Sequence, residues 1–207
     1  MDWLAALLLG ALQGVTEWLP VSSSGHLALA EHYFGVEAPV SFNVMLHFGT
    51  LLAVTAFFRR DLREVFGDKK LLSGIALALV PTAVIGLAFK PFFESLFSSP
   101  PAIAFALLVT AAFLLFSTGA RPVKLPFLAS AFLVGVAQGF AVAPGLSRSG
   151  ATIGAGLLSG LTREKAARFS FLLAVPAIAG ATLLEGVKAF SFAGLDAFPV
   201  LVGVAAA

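Results

Sequence analysis

The chain has 207 residues, 59% of them hydrophobic and 12% charged, with a mean hydropathy of +0.99 and a net charge of +2. A soluble domain carries about twice that share of charge, so composition excludes an ordinary globular protein and describes an all-α polytopic membrane protein. So small a net charge excludes nucleic acid as a natural partner, and the absence of cysteine excludes disulfides, thiolate metal sites and a cysteine nucleophile.

A bilayer crossing needs roughly 20 apolar residues. Residues 3–19 are marginal in length and carry Gln13 and Glu17; with no basic n-region ahead of them, they do not read as a cleavable signal. Residues 27–36 are too short to cross. Full crossings are expected at about 41–58, at 71–89 with a kink at Pro81, at 102–118 and at 166–184. Residues 126–143 are again marginal and 151–161 again short. The apolar run 197–207 has no interfacial anchor to finish a crossing, so this helix, and a further one, are expected to continue past the sequence given.

The sequence also repeats itself. Gly10, Gln13, Gly14, Ser22, Ser24 and Gly25 match Gly135, Gln138, Gly139, Ser147, Ser149 and Gly150 at a constant offset (135 minus 10, or 125), and Phe48 with Leu51–Val54 matches Phe169 with Leu172–Val175. Each half opens with a marginal segment, a Pro/Ser/Gly break and a short segment, the pattern of a re-entrant helix hairpin. Such broken backbone is tolerated at membrane depth only where protein or water lines it. Three crossings, an odd number, separate the hairpins, so the expected fold is an inverted-topology repeat in one domain over 1–207, with halves of about 1–95 and 126–207. Charge tests this independently. Arg59, Arg60, Arg63, Lys69 and Lys70 fall in one loop, Arg121 and Lys124 in a second, Arg163, Lys165 and Arg168 in a third. The hairpin model puts all three on one face, which the positive-inside rule makes cytoplasmic. Of the 13 Lys and Arg, this leaves Lys90 and Lys188 opposite and Arg148 inside the second break. The charged loop 59–70 reads as a solvated face, and Glu31, His32 and Glu37 come out externally.

An ionisable residue within a membrane segment is costly and is read first as functional. The Arg148 guanidinium stays charged and its fork matches two phosphate oxygens. Pro144-Gly145 breaks the helix before it, and Ser147-Arg148-Ser149-Gly150 leads into a new helix start, where free backbone N–H groups attract anions. Ser22-Ser23-Ser24-Gly25 has the same form. One such break alone reads better as capping and packing; two, one of them carrying arginine, read as an anion site. Gln13 and Glu17, four apart, share a helix face. Glu17 can hold a divalent cation that bridges phosphate oxygens, or take a proton; the plainer reading is an ion pair with Arg148 that holds the fold. His26 can act as nucleophile, general acid or simple donor, Ser23 as nucleophile or ligand, and Thr152 as a helix cap or a phosphate contact. Asn43 and His47 lean toward packing.

QGVTEWLPVSSSGH (13–26) and PGLSRSGAT (144–152) resemble the two signatures of the undecaprenyl pyrophosphate phosphatases of the bacitracin resistance type, and TREKAARFSFLLAVP (162–176) resembles the family sequence that follows the second. The resemblance covers essentially the whole chain. It implies a cell-membrane enzyme that hydrolyses undecaprenyl diphosphate to the monophosphate carrier lipid for peptidoglycan and other envelope polymers. Its site would open to the external or periplasmic face. Activity would depend on a divalent cation, Mg2+ or Ca2+. The partners implied are a polyprenyl diphosphate lipid and, indirectly through that lipid, bacitracin, with a homodimer as an option. By motif position Glu17 would be the essential carboxylate, a metal ligand or base, with Gln13 assisting. Ser23 and His26 would be the catalytic hydroxyl and imidazole, and Arg148 with Ser147, Ser149 and Thr152 would bind the diphosphate. Ser22, Ser24, Gly25 and Gly150 belong to the same two anion-binding breaks.

Two other readings compete. Lipid phosphatases of the phosphatidic acid type also use SGH and SR sequences, but need a histidine beyond the SR, and none follows Arg148. A transporter or flippase for an anionic polyprenyl lipid would share the inverted, broken-helix plan. Phosphate release separates it from a phosphatase.

Overall fold

The computed structural model describes residues 1–188 and 197–207, the side chains of 185–188 excepted. Among the described residues there are eleven helices and no strand. Helix α1 (Trp3–Trp18) stops where Pro20 forces Leu19 into extended backbone. Helix α2 (Ser23–Phe34) begins on Ser22, whose side chain accepts a hydrogen bond from the Gly25 N–H, and ends on Gly35 in the left-handed region. Helix α3 (Val40–Phe57) leads into the amphipathic α4 (Arg59–Gly67). Asp68 then caps α5 (Lys69–Ala88), which is a single helix through Pro81. After α6 (Lys90–Leu96), Ser99 caps α7 (Pro100–Gly119). Helices α8 (Phe127–Phe140) and α9 (Arg148–Leu158) flank the second break, where Ser147 caps α9 as Ser22 caps α2. Helices α10 (Arg163–Lys188) and α11 (Ala197–Ala206) complete the order.

Helices α3, α5, α7 and, over Arg163–Leu184, α10 are long and apolar enough to cross a membrane. They are the four crossings read from hydropathy. Large side chains such as Leu8, Val84, Phe105, Leu108, Leu115 and Phe116 stay exposed, which an apolar solvent permits.

The helix starts at the breaks differ from the expectation. Helix α2 begins at Ser23 rather than 27, and α9 at Arg148 rather than 151. The reason is capping: a serine hydroxyl that accepts a first-turn N–H fixes the helix start upstream of the apolar run. Ser23, Ser24, His26, Arg148 and Ser149 are therefore first-turn residues, and Ser22 and Ser147 are the caps. Residues 59–67 are likewise a helix rather than a solvated loop. Val65 on one face is buried against Ile75 and Phe169, while Asp61 and Glu64 both accept from the Arg168 guanidinium of α10.

Two main hydrophobic clusters form. One joins α1, α2 and α3 through Ala6, Leu9, Leu27, Phe42 and Leu46. The other joins α4, α5, α8 and α10 through Val65, Ile75, Ala131, Val134, Phe169 and Leu172. Within each, a glycine lets two backbones touch. A Cβ on Gly10 would strike the Gly203 carbonyl of α11, and one on Gly135 the Ala78 carbonyl of α5. Two of the basic segments are tied together, and the third is tied to the end of α9. Arg168 bonds α4, and the backbone N–H groups of Val123 and Leu125 donate to the carbonyls of Leu158 and Ser159. At the far end of α3, Asn43 donates to Glu31 of α2 at 2.9 Å.

Candidate active site

The two breaks meet. Ser22, held at φ 67°, a conformation that costs a non-glycine residue free energy, accepts from the Gly145 N–H at 3.1 Å and the Gly25 N–H at 3.4 Å. A side chain on Gly25 would collide with the Gly145 backbone, so only glycine allows this approach. Gly145 itself sits at φ 90°. Its carbonyl accepts from the Thr110 hydroxyl at 2.9 Å, and Thr110 in turn accepts from the Ser147 N–H at 3.0 Å. Ser149 donates to the Leu19 carbonyl at 3.2 Å, a second strut between the breaks.

These struts aim Arg148 at Glu17. One guanidinium N–H group donates to Glu17 Oε1, while Oε2 accepts from the Ser23 hydroxyl at 2.5 Å and from Gln13 Nε2 at 3.1 Å. The Glu17 side chain is 6% exposed and that of Arg148 23%. A carboxylate this buried requires a partner, and the one that reaches it comes from a position 131 residues away. The plain ion-pair reading of the sequence thus describes the contact, in the same place where two helix starts direct N–H groups inward.

His26, in the first turn of α2, is anchored through Nδ1 on the Ser22 carbonyl at 2.8 Å, which leaves Nε2 for other chemistry. Ser24 lies 3.5 Å from Ser22 Oγ, and Ser147 Oγ caps the Gly150 N–H at 3.0 Å. Thr152 departs from the group. Its hydroxyl is engaged with the Arg148 carbonyl and with Ser170 Oγ at 2.6 Å, so it fastens α9 to α10.

Sequence reading singled out neither Thr50 nor Thr110. Thr50 is fully buried and accepts from Gln13 Nε2 at 3.4 Å. His47, whose carbonyl accepts from Thr50 at 2.9 Å, lies one turn before it on α3. The available signal was spacing: Asn43, His47 and Thr50 recur at i, i+4 and i+7 on one face of an otherwise apolar helix. Gln13 Oε1 is buried with no hydrogen-bond partner, an unmet acceptor beside the one buried carboxylate of the site. The arrangement therefore pairs a hydroxyl with a carboxylate at proton-transfer distance, and sets a forked cation beside both.

Comparison with known proteins identifies the family. The chain is 41% identical to an undecaprenyl-diphosphatase of Desulforapulum autotrophicum, over 97% of this chain and 83% of the relative. It is 47% identical to one of Syntrophotalea carbinolica, over 89% and 77%. It is 42% identical to one of Carboxydothermus hydrogenoformans, over 100% and 84%. Residues 6–207 match the family model described as bacitracin resistance protein BacA. With four apolar helices and both signature stretches meeting in space, this multi-pass membrane protein belongs to the bacitracin resistance protein BacA family.

Proposed function

We propose that the chain is an undecaprenyl-diphosphatase, which hydrolyses a polyprenyl diphosphate to the monophosphate and inorganic phosphate and so recycles the lipid carrier of envelope polymers. The observation that carries this reading is the convergence of Glu17, Ser23 and Arg148 at the junction of two helix starts. The printed names of the relatives point the same way.

The substrate's diphosphate takes the place of Glu17 on the Arg148 fork and lies against the first turns of α2 and α9, where Ser22, Ser24, Gly25, Ser147, Ser149 and Gly150 frame it. Glu17, released from Arg148, keeps its hydrogen bond to Ser23 and takes the hydroxyl proton as Ser23 Oγ bonds the terminal phosphorus and the bond to the polyprenyl phosphate breaks. Water, giving its proton to His26, then attacks the phosphoserine, inorganic phosphate leaves, and Ser23 Oγ takes its proton back from Glu17. His26, anchored at Nδ1, offers Nε2 to the leaving phosphate as general acid. Arg148 holds the charge that builds on the phosphoryl oxygens.

A divalent cation, Mg2+ or Ca2+, fits the hard oxygen donors present. Glu17, the unpartnered Gln13 Oε1 and the Ser23 hydroxyl would hold it. When bound, it would neutralise phosphate charge alongside Arg148. Among the described residues no group of three or more His, Cys, Asp or Glu is found, so phosphate oxygens and water would complete its shell.

We read α1–α2 and α8–α9 as re-entrant hairpins of an inverted repeat within one domain over 1–207, with halves of about 1–95 and 126–207. Three observations support this. The hairpin clusters are separate. The glycine contacts Gly10–Gly203 and Gly135–Ala78 are related by the same 125-residue offset as the motifs. The basic segments 59–70 and 163–168 are joined through Arg168 and Asp61, and 121–125 is joined to the end of α9 at Leu158 and Ser159, just ahead of Arg163. On that face Trp18 meets Phe57 edge-on, stacks on Phe58 and packs against Phe171, and Arg168 pairs with Asp61 and Glu64. This supports a site in the cell membrane that opens to the external or periplasmic side, with bacitracin linked to it only through the shared lipid.

Purified protein in detergent, given undecaprenyl diphosphate and Mg2+, should release phosphate and should stop when chelator is added. Lipid binding with no release would overturn the phosphatase and leave an anionic-lipid carrier.

A further inference from the structure

A cavity of about 180 Å3 lies between α7, α8 and α9, beside the second break. Val109 and Phe113 of α7, Ala137 and Phe140 of α8, and Leu146 and Ala151 on either side of Arg148 line it. Its polar margin is Thr110 and Ser147, the pair that fixes the Gly145 turn. The interior is thus apolar, and the edge belongs to the proposed phosphate site. Val109 and Phe140 are also large exposed side chains, 40% and 48% exposed, so the cavity opens sideways onto the apolar outer surface. It does so at the middle of α7, whose bounds are Pro100–Gly119.

We infer that this notch is the subsite for the first isoprene unit of the substrate, the five carbons that follow the diphosphate. The inference rests on the phosphatase reading and deepens it. Three observations fix the occupant. Size fits: an apolar protein cavity of roughly 150 Å3 is filled by a molecule as small as benzene, so this one takes a branched five-carbon unit and not a folded long chain. Chemistry fits: the walls are aliphatic and aromatic, without a charged side chain to reward a headgroup. Continuity fits: Ser147, which lines the cavity, caps the Gly150 N–H at 3.0 Å and lies 3.2 Å from Ser149 Oγ, so the notch borders the proposed phosphate site, and a chain whose diphosphate rests there enters the notch with its first carbons and leaves it into the hydrocarbon. The remaining isoprene units then lie in lipid. Affinity should accordingly depend on the presence of the first units far more than on total length.

The test compares a headgroup-only substrate, methyl diphosphate, with farnesyl diphosphate. Ala137→Leu fills the notch from α8, at a position that lies in neither break. It should raise KM for farnesyl diphosphate about tenfold, the scale on which a hydrophobic pocket discriminates a few carbons. kcat, and all parameters for methyl diphosphate, should stay near wild type. A misfolded or distorted variant would instead lose both substrates together. For that case, wild-type protein is photolabelled with a farnesyl diphosphate analogue that carries a diazirine on its first isoprene unit. Label on residues 109–113 or 137–141, displaced by farnesyl diphosphate but not by an equal concentration of dodecyl detergent, supports the subsite. An unchanged farnesyl KM in folded Ala137→Leu overturns it, as does label confined to other helices or displaced equally by detergent. Failure of wild-type protein to release phosphate would sink the phosphatase reading instead, a separate result.

Discussion

Glu17 and Arg148 are opposite charges held in one apolar interior, and this fixes what their removal should do. Glu17→Ala and Arg148→Ala should each lower turnover at least about 100-fold, the typical cost of losing one charge-stabilising group, in a phosphate-release assay on membrane-inserted protein. Stability should separate the pair's two roles. Removal of one partner leaves a buried charge unmatched, at a cost of ~3–5 kcal/mol. The double variant leaves none, so in thermal unfolding it should melt above either single variant even though it is as inactive. Ser22→Ala is a subtler case. It deletes the acceptor for two backbone N–H groups, one from each break, and should lower both Tm and kcat, while Ser24→Ala, whose hydroxyl lies 3.5 Å from Ser22 Oγ, should leave Tm nearly unchanged.

At the scale of the helix, backbone contact outweighs surface charge. Gly135→Leu would drive a side chain into the Ala78 carbonyl of α5, so it should abolish stable insertion, read as loss of a monodisperse peak in detergent. Arg168→Ala removes two ion-pair contacts from a largely exposed guanidinium, where each pair is worth only about 0.2–1 kcal/mol. It should leave Tm nearly unchanged while hydrogen exchange across 59–67 rises. These elements also show what could be read from the chain unaided. All four crossings were legible, because length and hydropathy alone decide them. Both breaks were legible from Pro20, Pro144 and the serine-glycine runs. The start of α9 at Arg148 was not, because a serine cap outvotes the apolar pattern. Helix α4 was hidden for a different reason: its charges suggested solvent, and only Arg168, 107 residues from Asp61, reveals why they are there. Thr110 was equally invisible, since a lone hydroxyl inside an apolar run has no meaning until its partner on another segment is known.

For the whole molecule, the reading stands on which loops share a face. The chain contains no cysteine, so single cysteines can map the arrangement directly. Lys69→Cys, Lys124→Cys and Lys165→Cys should react with an impermeant maleimide only after the membrane is opened, and Glu37→Cys in intact cells. Labelling of Lys124→Cys from outside would separate the second hairpin from the other basic segments. The hydrogen bond from Gly145 to Ser22 carries one more consequence, and it concerns biogenesis. A nascent chain delivers its acidic half long before its basic half leaves the ribosome. Until then Glu17 has no counter-charge, and the first hairpin has no reason to stay buried. That hairpin should therefore rest near the aqueous boundary during synthesis and sink to its final depth only when the later one arrives, which makes the last step of insertion and the birth of the enzyme a single event.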